Sequence, residues 1–256
     1  MKVLFSVKDD WATQIVSSLD GTGFLPTFAP FTDQFIEDAD IVFPLRIPDT
    51  LLALDSKIAT AKSLLPSREA LTIADHKMQF NRFLVAIGFS QMVPAIYRDD
   101  RIFPYILKGD EGEWGNSTYL IRDARDEAAH RDKMSSPKFF AQEYVAGHEE
   151  SALHIVSDGS KIRYAHTVRY SYAEDLFVKG PIFKPARVDR LDGMEFEHVF
   201  TEILAKLKFQ GVCCINYKTK NGVPQIMELN PRMGASLADR MREALPSYIE
   251  CVRGGC

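Results

Sequence analysis

Two periods run through the apolar and polar positions of this chain. Lys2 to Val7 is mostly apolar and reads as a strand. From Trp11 to Leu19 the apolar residues fall at 11, 12, 15, 16 and 19, a helical spacing that Gly21 and Gly23 stop. Asp40 to Leu45 is a second buried strand. Thr50 to Leu65 then places Leu51, Leu52, Leu54, Ile58, Ala61 and Leu65 on a helix, with Pro66 beyond it. The alternation predicts a small parallel α/β unit. It carries no glycine fingerprint for a dinucleotide, so no chemistry attaches to it.

The next helix opens at Asp75, a candidate N-cap, and turns Phe80, Phe83, Leu84 and Ile87 inward before Gly88. Lys77 falls in its first turn, where a cation beside free amides attracts anions; the plain alternative is a solvated lysine. Pro104 to Lys108 is a strand that runs into a glycine-bearing loop, residues 109–118. The loop lacks the Gly-Lys-Ser/Thr ending of a P-loop, and its three acids would repel a bare triphosphate. Lys138 to Gly147 is a strand and turn. Ala152–Ser157 and Ile162–Tyr170 pair as strands carrying His154, His166 and Arg169. The histidines read as structural. Arg169, with no acid adjacent in sequence, is a candidate for holding an anionic substrate. Phe177 to Val188, with Lys179 and Lys184, reads as an irregular basic loop. A helix spans Glu195 to Phe209, and a last one spans 235–245 before a frayed end.

Between those helices lies a hairpin, Val212–Lys218 and Gln225–Asn230, turned by Asn221-Gly222. Simple alternation puts Ile226, Glu228 and Asn230 on one face and Met227 and Leu229 on the other. A carboxylate, an amide and then Arg232 within five residues suit a divalent cation carrying phosphate: oxygen ligands for Mg²⁺ and a guanidinium fork for phosphoryl oxygens. A solvated strand end is the alternative. A two-residue Asn-Gly loop would pair Asn216 with Met227; a bulge or a longer loop would pair it with Glu228. Only the second arrangement brings Asn216 to the metal side.

Composition narrows the field further. The 256 residues are 46% hydrophobic and 26% charged, with net charge −4. That is ordinary for a globular protein and advertises neither nucleic acid nor an anionic membrane surface. No apolar run reaches membrane-spanning length, and the apolar start is too short for a signal-peptide core. Cys213, Cys214, Cys251 and Cys256 fit no zinc or disulfide spacing. They are expected as reduced thiols in a cytoplasmic protein.

Taken in order, Asp75-His76-Lys77, Tyr105-Ile106-Leu107-Lys108 before the glycine loop, Gln142-Glu143-Tyr144-Val145-Ala146-Gly147, Asn216 and Met227-Glu228-Leu229-Asn230-Pro231-Arg232 resemble the ATP-grasp superfamily. The similarity is to its carbamoyl phosphate synthase-like and biotin carboxylase-like branch, over residues 66–245. The resemblance implies an α/β fold of α+β lobes: a Rossmann-like pre-ATP-grasp domain over 1–70, a small lobe over 71–135 and a C-terminal lobe over 136–256. It implies that Lys77 and Lys108 hold the ATP phosphates under a 109–118 lid. Gln142, Glu143, Tyr144 and Val145 would form the adenine hinge, with Glu149, and Glu143 as a further candidate, on the ribose. Glu228 and Asn230 would ligate Mg²⁺ (or Mn²⁺), with Asn216 where the family carries Asp, Glu or Gln. Arg232 would steady the transferring phosphoryl group, and Arg169 would bind the acid.

The implied activity is ATP-dependent joining of a small-molecule carboxylate to an amine through an acyl phosphate. An ATP-grasp phosphotransferase or carboxylase-like enzyme, or a non-catalytic nucleotide-binding module, is the alternative. Neither nucleic acid nor membrane is an expected partner, and homodimers are common in such families. The neutral Asn216 and the acidic loop depart from the family pattern.

Overall fold

A computed structural model describes residues 1–112, 117–180 and 182–254. Residues 113–116 of the expected lid, Pro181 of the basic loop and the last two residues lie outside that set. The first unit is β1 (Lys2–Phe5), α1 (Asp9–Leu19), β2 (Leu25–Phe28), α2 (Asp33–Asp38), β3 (Ile41–Phe43), α3 (Ile47–Asp55) and α4 (Lys57–Ala61). Its sheet is parallel, in the order β2-β1-β3. The hydrophobic pattern missed β2 and α2, which are short and largely exposed at their apolar positions. The single helix expected over 50–65 is broken at Ser56, whose hydroxyl caps α4 by accepting from Ala59 N–H.

Next come α5 (Arg68–Asp75) and α6 (Lys77–Ala86). Asp75 is therefore the last residue of one helix and not the cap of the next. The cap comes from across the chain: Asp110 Oδ1 accepts from Met78 N–H at 2.7 Å, and its carbonyl accepts from Lys77 N–H at 3.1 Å. Two of the acids that looked hostile to phosphate thus face elsewhere, because Glu111 sits 3.2 Å from His76. A second sheet contains β4 (Ile96–Tyr97), β5 (Tyr105–Gly109) and β6 (Thr118–Ile121); α7 (Ala124–Ala129) and α8 (Arg131–Met134) precede its last strand, β7 (Phe139–Glu143). It is antiparallel, in the order β4-β7-β5-β6.

The third sheet is the largest. It comprises β8 (Glu149–Asp158), β9 (Ile162–Ser171), β10 (Arg187–Asp192), β11 (Gln210–Lys220) and β12 (Val223–Asn230), all antiparallel, in the order β10-β9-β8-β11-β12. β10 begins inside the segment expected to be irregular, because it pairs along β9 from Arg187↔Ser171 onward. The helix between β10 and β11, α9 (Glu197–Leu207), covers one face. Val199, Phe200, Ile203 and Leu204 pack there against Leu153, Ile155, Cys213, Ile215 and Tyr217. The final helix, α10 (Met241–Val252), follows a 3₁₀ turn over Ala235–Arg240 and runs past the expected end at 245. It returns to the first sheet: Tyr248 Oη donates to Val42 O and accepts from Leu64 N–H, each at 2.9 Å. The first and last segments of the chain therefore share one core.

The hairpin register resolves through both alternatives at once. Asn221 and Gly222 both adopt positive φ, 54° and 76°, so the loop is a two-residue turn. A bulge then shifts the ladder from Tyr217↔Ile226 to Asn216↔Glu228, with Met227 as the extra residue. Alternation breaks at that point. Ile226 joins Leu229 against α9, contrary to the expectation that it shares a face with Glu228. The reduced-thiol expectation holds for Cys213 and Cys214, which are free and buried, but Cys251 is disulfide-bonded. Among the described residues no helix is long and apolar enough to cross a membrane.

Candidate active site

A cleft of about 350 Å³ opens between the second and third sheets. Its floor is the uncovered face of the third sheet, where Glu150, Ala152 and His154 of β8 alternate with the residues packed on α9. Cys214, Asn216 and Lys218 do the same on β11. Lys108 and Gln142 close it from the second sheet, and residues 177–180 and 183–185 pass alongside.

The bulge gathers three oxygen-bearing side chains. Asn216 Nδ2 and Asn230 Nδ2 each donate to Glu228 Oε1 at 3.0 Å. Arg232 is buried beside them, with Nη2 at 3.5 Å from Asn230 Oδ1 and Nη1 donating to Met233 O at 2.9 Å. Lys77, buried at the start of α6, brings Nζ to 3.5 Å from Glu228 Oε2 and donates to Gly112 O. Lys108 is buried too; its ammonium donates to Met227 O at 3.1 Å and to Gln142 Oε1 at 3.3 Å. Burial pulls the Lys108 pKa down to about 8 against the opposing pull of Glu228. Burial pushes Glu228 upward, but Lys77, Lys108 and the Asn230 hydrogen bond outweigh it, and the carboxyl ends below its ordinary range. Anionic Glu228 between two ammonium groups is thus the resting charge pattern.

The expected hinge also lines the cleft. Gln142 spans it, donating to Pro94 O while accepting from Lys108. Tyr144 Oη donates to Asp175 O and accepts from Phe177 N–H, fastening the start of the chain after β9 to this edge of the cleft. Lys218 Nζ donates to Val145 O and Gly147 O, both at 3.0 Å, and lies over the rings of Phe177 and Tyr144. The Glu143 carboxylate is already paired with Lys220 and accepts from Ala95 N–H, which argues against a ribose role.

Two expected residues stand elsewhere. Glu149 is exposed, while its neighbour Glu150 is buried in the cleft wall, 3.5 Å from Lys179. The alternation of β8 decides this: residues on the phase of Ala152 and His154 face the cleft, and Glu149 is on the other phase. Arg169 is likewise on the helix side of β9, paired with Glu195 at 2.7 Å and near Glu149 at 3.8 Å. The acids that neutralise it are adjacent in space and not in sequence. Glu150, Lys179 and Lys218 were the residues the pattern missed. The parity of Asn216 would have flagged Lys218, two residues on; Lys179 lay in a segment with no periodicity to read.

No protein-family model and no curated protein matches the sequence. Solved structures do match its fold. Phosphoribosylamine–glycine ligase from Thermotoga maritima is similar over 100% of this chain and 76% of its own, with TM-score 0.71 and 15% identity. L-amino acid ligase from Bacillus licheniformis is similar over 97% and 74%, with TM-score 0.65 and 16% identity. D-alanine–D-alanine ligase from Bacillus anthracis, complexed with ATP, is similar over 99% and 96%, with TM-score 0.64 and 12% identity. The chain has the ATP-grasp fold. The Glu228 cluster, the two lysines and residues 142–145 all fall around one cleft.

Proposed function

We propose that the chain is an ATP-grasp ligase that activates a carboxylate with ATP and joins it to an amine or similar nucleophile. One observation carries this reading. Lys77, Lys108 and Arg232, three buried cations, converge on the Glu228–Asn230–Asn216 cluster in a cleft whose wall includes residues 142–145. Burying that much positive charge is costly unless an anion binds it, and a triphosphate is such an anion. The ligase names of the structural neighbours, one of them complexed with ATP, point the same way.

The donor set fits Mg²⁺. Among the described residues no group of three or more His, Cys, Asp and Glu side chains stands ready to hold a metal alone. One carboxylate and two amides suit instead a hard cation that takes its remaining oxygens from phosphate and water. Glu228, Asn230 and Asn216 would hold it, the amides turning their oxygens inward. When bound it would neutralise charge on the triphosphate.

The protein's part is positioning and electrostatics. Lys77 and Lys108 would hold phosphoryl oxygens, and Arg232 would receive the charge that develops on the transferring group. A carboxylate oxygen attacks the γ-phosphorus and ADP leaves; the nucleophile then attacks the acyl carbon, loses its proton and expels phosphate. Glu150, buried in the cleft where Glu149 was expected, would take ribose hydroxyls by giving up its contact with Lys179. Incubating the protein with Mg–ATP and libraries of carboxylates and amines, and reading ADP release, tests the proposal. Release that needs both an acid and an amine supports a ligase. A stable phosphorylated product points to a phosphotransferase, and no Mg-dependent ATP binding removes the catalytic reading.

A further inference from the structure

One wall of the cleft carries a polar pair that phosphoryl transfer as described does not use. His154 on β8 is wholly buried, and its Nε2 lies 2.8 Å from Ser236 Oγ, in the turn that follows Arg232. Both residues line the cleft. Their approach depends on Gly234: a Cβ there would stand 2.7 Å from His154 Cε1 and 3.2 Å from Cys214 Sγ. Arg190 pins the same turn, donating to Ser236 O at 3.3 Å and to Asp239 Oδ1 at 3.0 Å.

The second ring nitrogen decides the polarity of the pair. Among the described residues His154 Nδ1 is buried with no hydrogen-bond partner. Burial, reinforced by Lys179, His166, Arg190 and Arg232, lowers the imidazole pKa to about 3, so the ring is neutral and carries one N–H. A proton on Nδ1 would strand a buried donor. A proton on Nε2 strands only an acceptor, the milder defect, and puts the N–H on the serine oxygen. The opposite polarity, a serine made nucleophilic by histidine, needs an acid on Nδ1–H. The nearby Asp192 lies instead beside His166, 3.6 Å from that ring's Nδ1.

We propose that His154 is a positioning residue: it donates Nε2–H to Ser236 Oγ and so commits the serine's own proton to an anionic oxygen of the bound acid or acyl phosphate. The identity of that ligand rests on the ligase reading; the direction of the hydrogen bond does not. Ser236 then offers its own O–H to the cleft from the turn that follows Arg232. It would complement Arg232 without adding charge, and it would discriminate against ligands that present a donor there.

Two measurements on the full chain test this. Ring-¹⁵N-histidine spectra, with His154→Gln to assign the ring, should show a protonated Nε2 and a bare Nδ1, unchanged on mild acidification. A protonated Nδ1, or a ring that titrates near neutrality, overturns the proposal whatever the enzyme does. The second measurement titrates acetylphosphonate, a non-transferable acyl phosphate mimic, into protein saturated with Mg–ADP. Ser236→Ala and His154→Leu should each weaken it by ~10-fold or more, the scale of a lost hydrogen bond to a charged group. His154→Gln, which can still offer an N–H, should recover most of that loss, and Mg–ADP affinity should stay constant throughout. Equal losses in His154→Gln and His154→Leu, or no binding to wild type while Mg–ADP binds, overturn the donor role and leave the nucleotide site standing. Failure of Mg–ADP itself to bind counts against the ligase reading, and the spectra then still decide the tautomer.

Discussion

Lys77 Nζ lies 3.5 Å from Glu228 Oε2, joining the first turn of α6 to the end of β12. The same ammonium donates to Gly112 O, so one cation touches both the glycine loop and the candidate metal strand. Glu228 in turn accepts from Asn216 and Asn230. Each partner is satisfied by another member of the cluster, and exchanging those contacts for phosphate and a cation would cost little desolvation beyond what folding has already imposed.

Glu228→Gln tests that arrangement. It removes the charge facing Lys77 and Lys108 while keeping the side chain's shape. Mg-dependent ATP turnover should fall by ~10²-fold or more, the usual cost of deleting one preorganised electrostatic partner. The variant should remain folded by circular dichroism. Its acid stability should change in a defined direction. The folded carboxyl lies below its ordinary range, so wild type holds this contribution above the unfolded pKa and loses it as pH falls through the folded one. Thermal melts on acidification should therefore decline more steeply in wild type than in Glu228→Gln. Unchanged turnover would remove Glu228 from the site.

Lys108→Met should separate stability from function. The folded ammonium has a pKa of about 8 against an ordinary 10.5, chiefly through burial. Below pH 8 both states are charged and the native state carries the whole penalty, about 3 kcal/mol for a shift that already includes the opposing pull of Glu228. Between pH 8 and 10.5 the unfolded chain binds the extra proton, so wild type gains stability as pH rises. The melting temperature of Lys108→Met minus that of wild type should shift downward across this window, while its Mg–ATP affinity is reduced at every pH. A difference that stays flat from neutral to alkaline pH would show that Lys108 is not a desolvated ammonium.

Much of this was legible in the sequence, and the errors have a common cause. Lys108, Gln142, Glu228 and Asn230 sit beside glycines, prolines or strand ends, and Lys77 at a helix start, which fix their phase locally. Glu149 and Arg169 failed because strand phase is set by which face α9 covers, a fact of tertiary packing that two adjacent glutamates cannot reveal. Arg169 looked unpaired since its partner Glu195 is distant in sequence. The bulge at Met227 was foreseen only as one of two options, because a two-residue turn and a bulge leave the same hydrophobic string. Asp75 illustrates the same point in reverse: a good local cap lost to Asp110, which reaches α6 from the loop just after β5.

Asn216→Asp would restore the acid that the resemblance leads one to expect. The new carboxylate would stand where an amide now donates to Glu228 at 3.0 Å. Two carboxylates at that distance repel and lose a hydrogen bond, so without divalent cation the melting temperature should fall by several degrees, as a loss of ~1–2 kcal/mol implies for a chain of this size. Added Mg²⁺ should reverse the loss and stabilise the variant more than wild type, because a second anionic oxygen strengthens a hard-cation site. Melts with chelator and with Mg²⁺ measure both effects. A variant that is destabilised equally in the two conditions would place Asn216 outside the metal site.

Lys218→Met addresses the hinge. The Lys218 ammonium satisfies the carbonyls of Val145 and Gly147 and lies 3.9 Å from the centre of the Phe177 ring. It therefore ties the backbone at 145–147 to the segment that follows β9. Methionine keeps the stem's packing and deletes the donor. Two carbonyls are then left to find new partners, and the hinge loosens where the base of the nucleotide would rest. The ATP KM should rise by ~10-fold with a smaller change in kcat, since the variant alters neither Lys77 and Lys108 nor the Glu228 cluster. Mg–ADP affinity should fall in parallel, and a fluorescent nucleotide titration reads that directly. A variant whose kcat collapses at unchanged KM would mean that Lys218 serves the chemistry itself, and that the other hydrogen bonds of 142–144, to Pro94, Ala95, Asp175 and Phe177, hold that stretch without it.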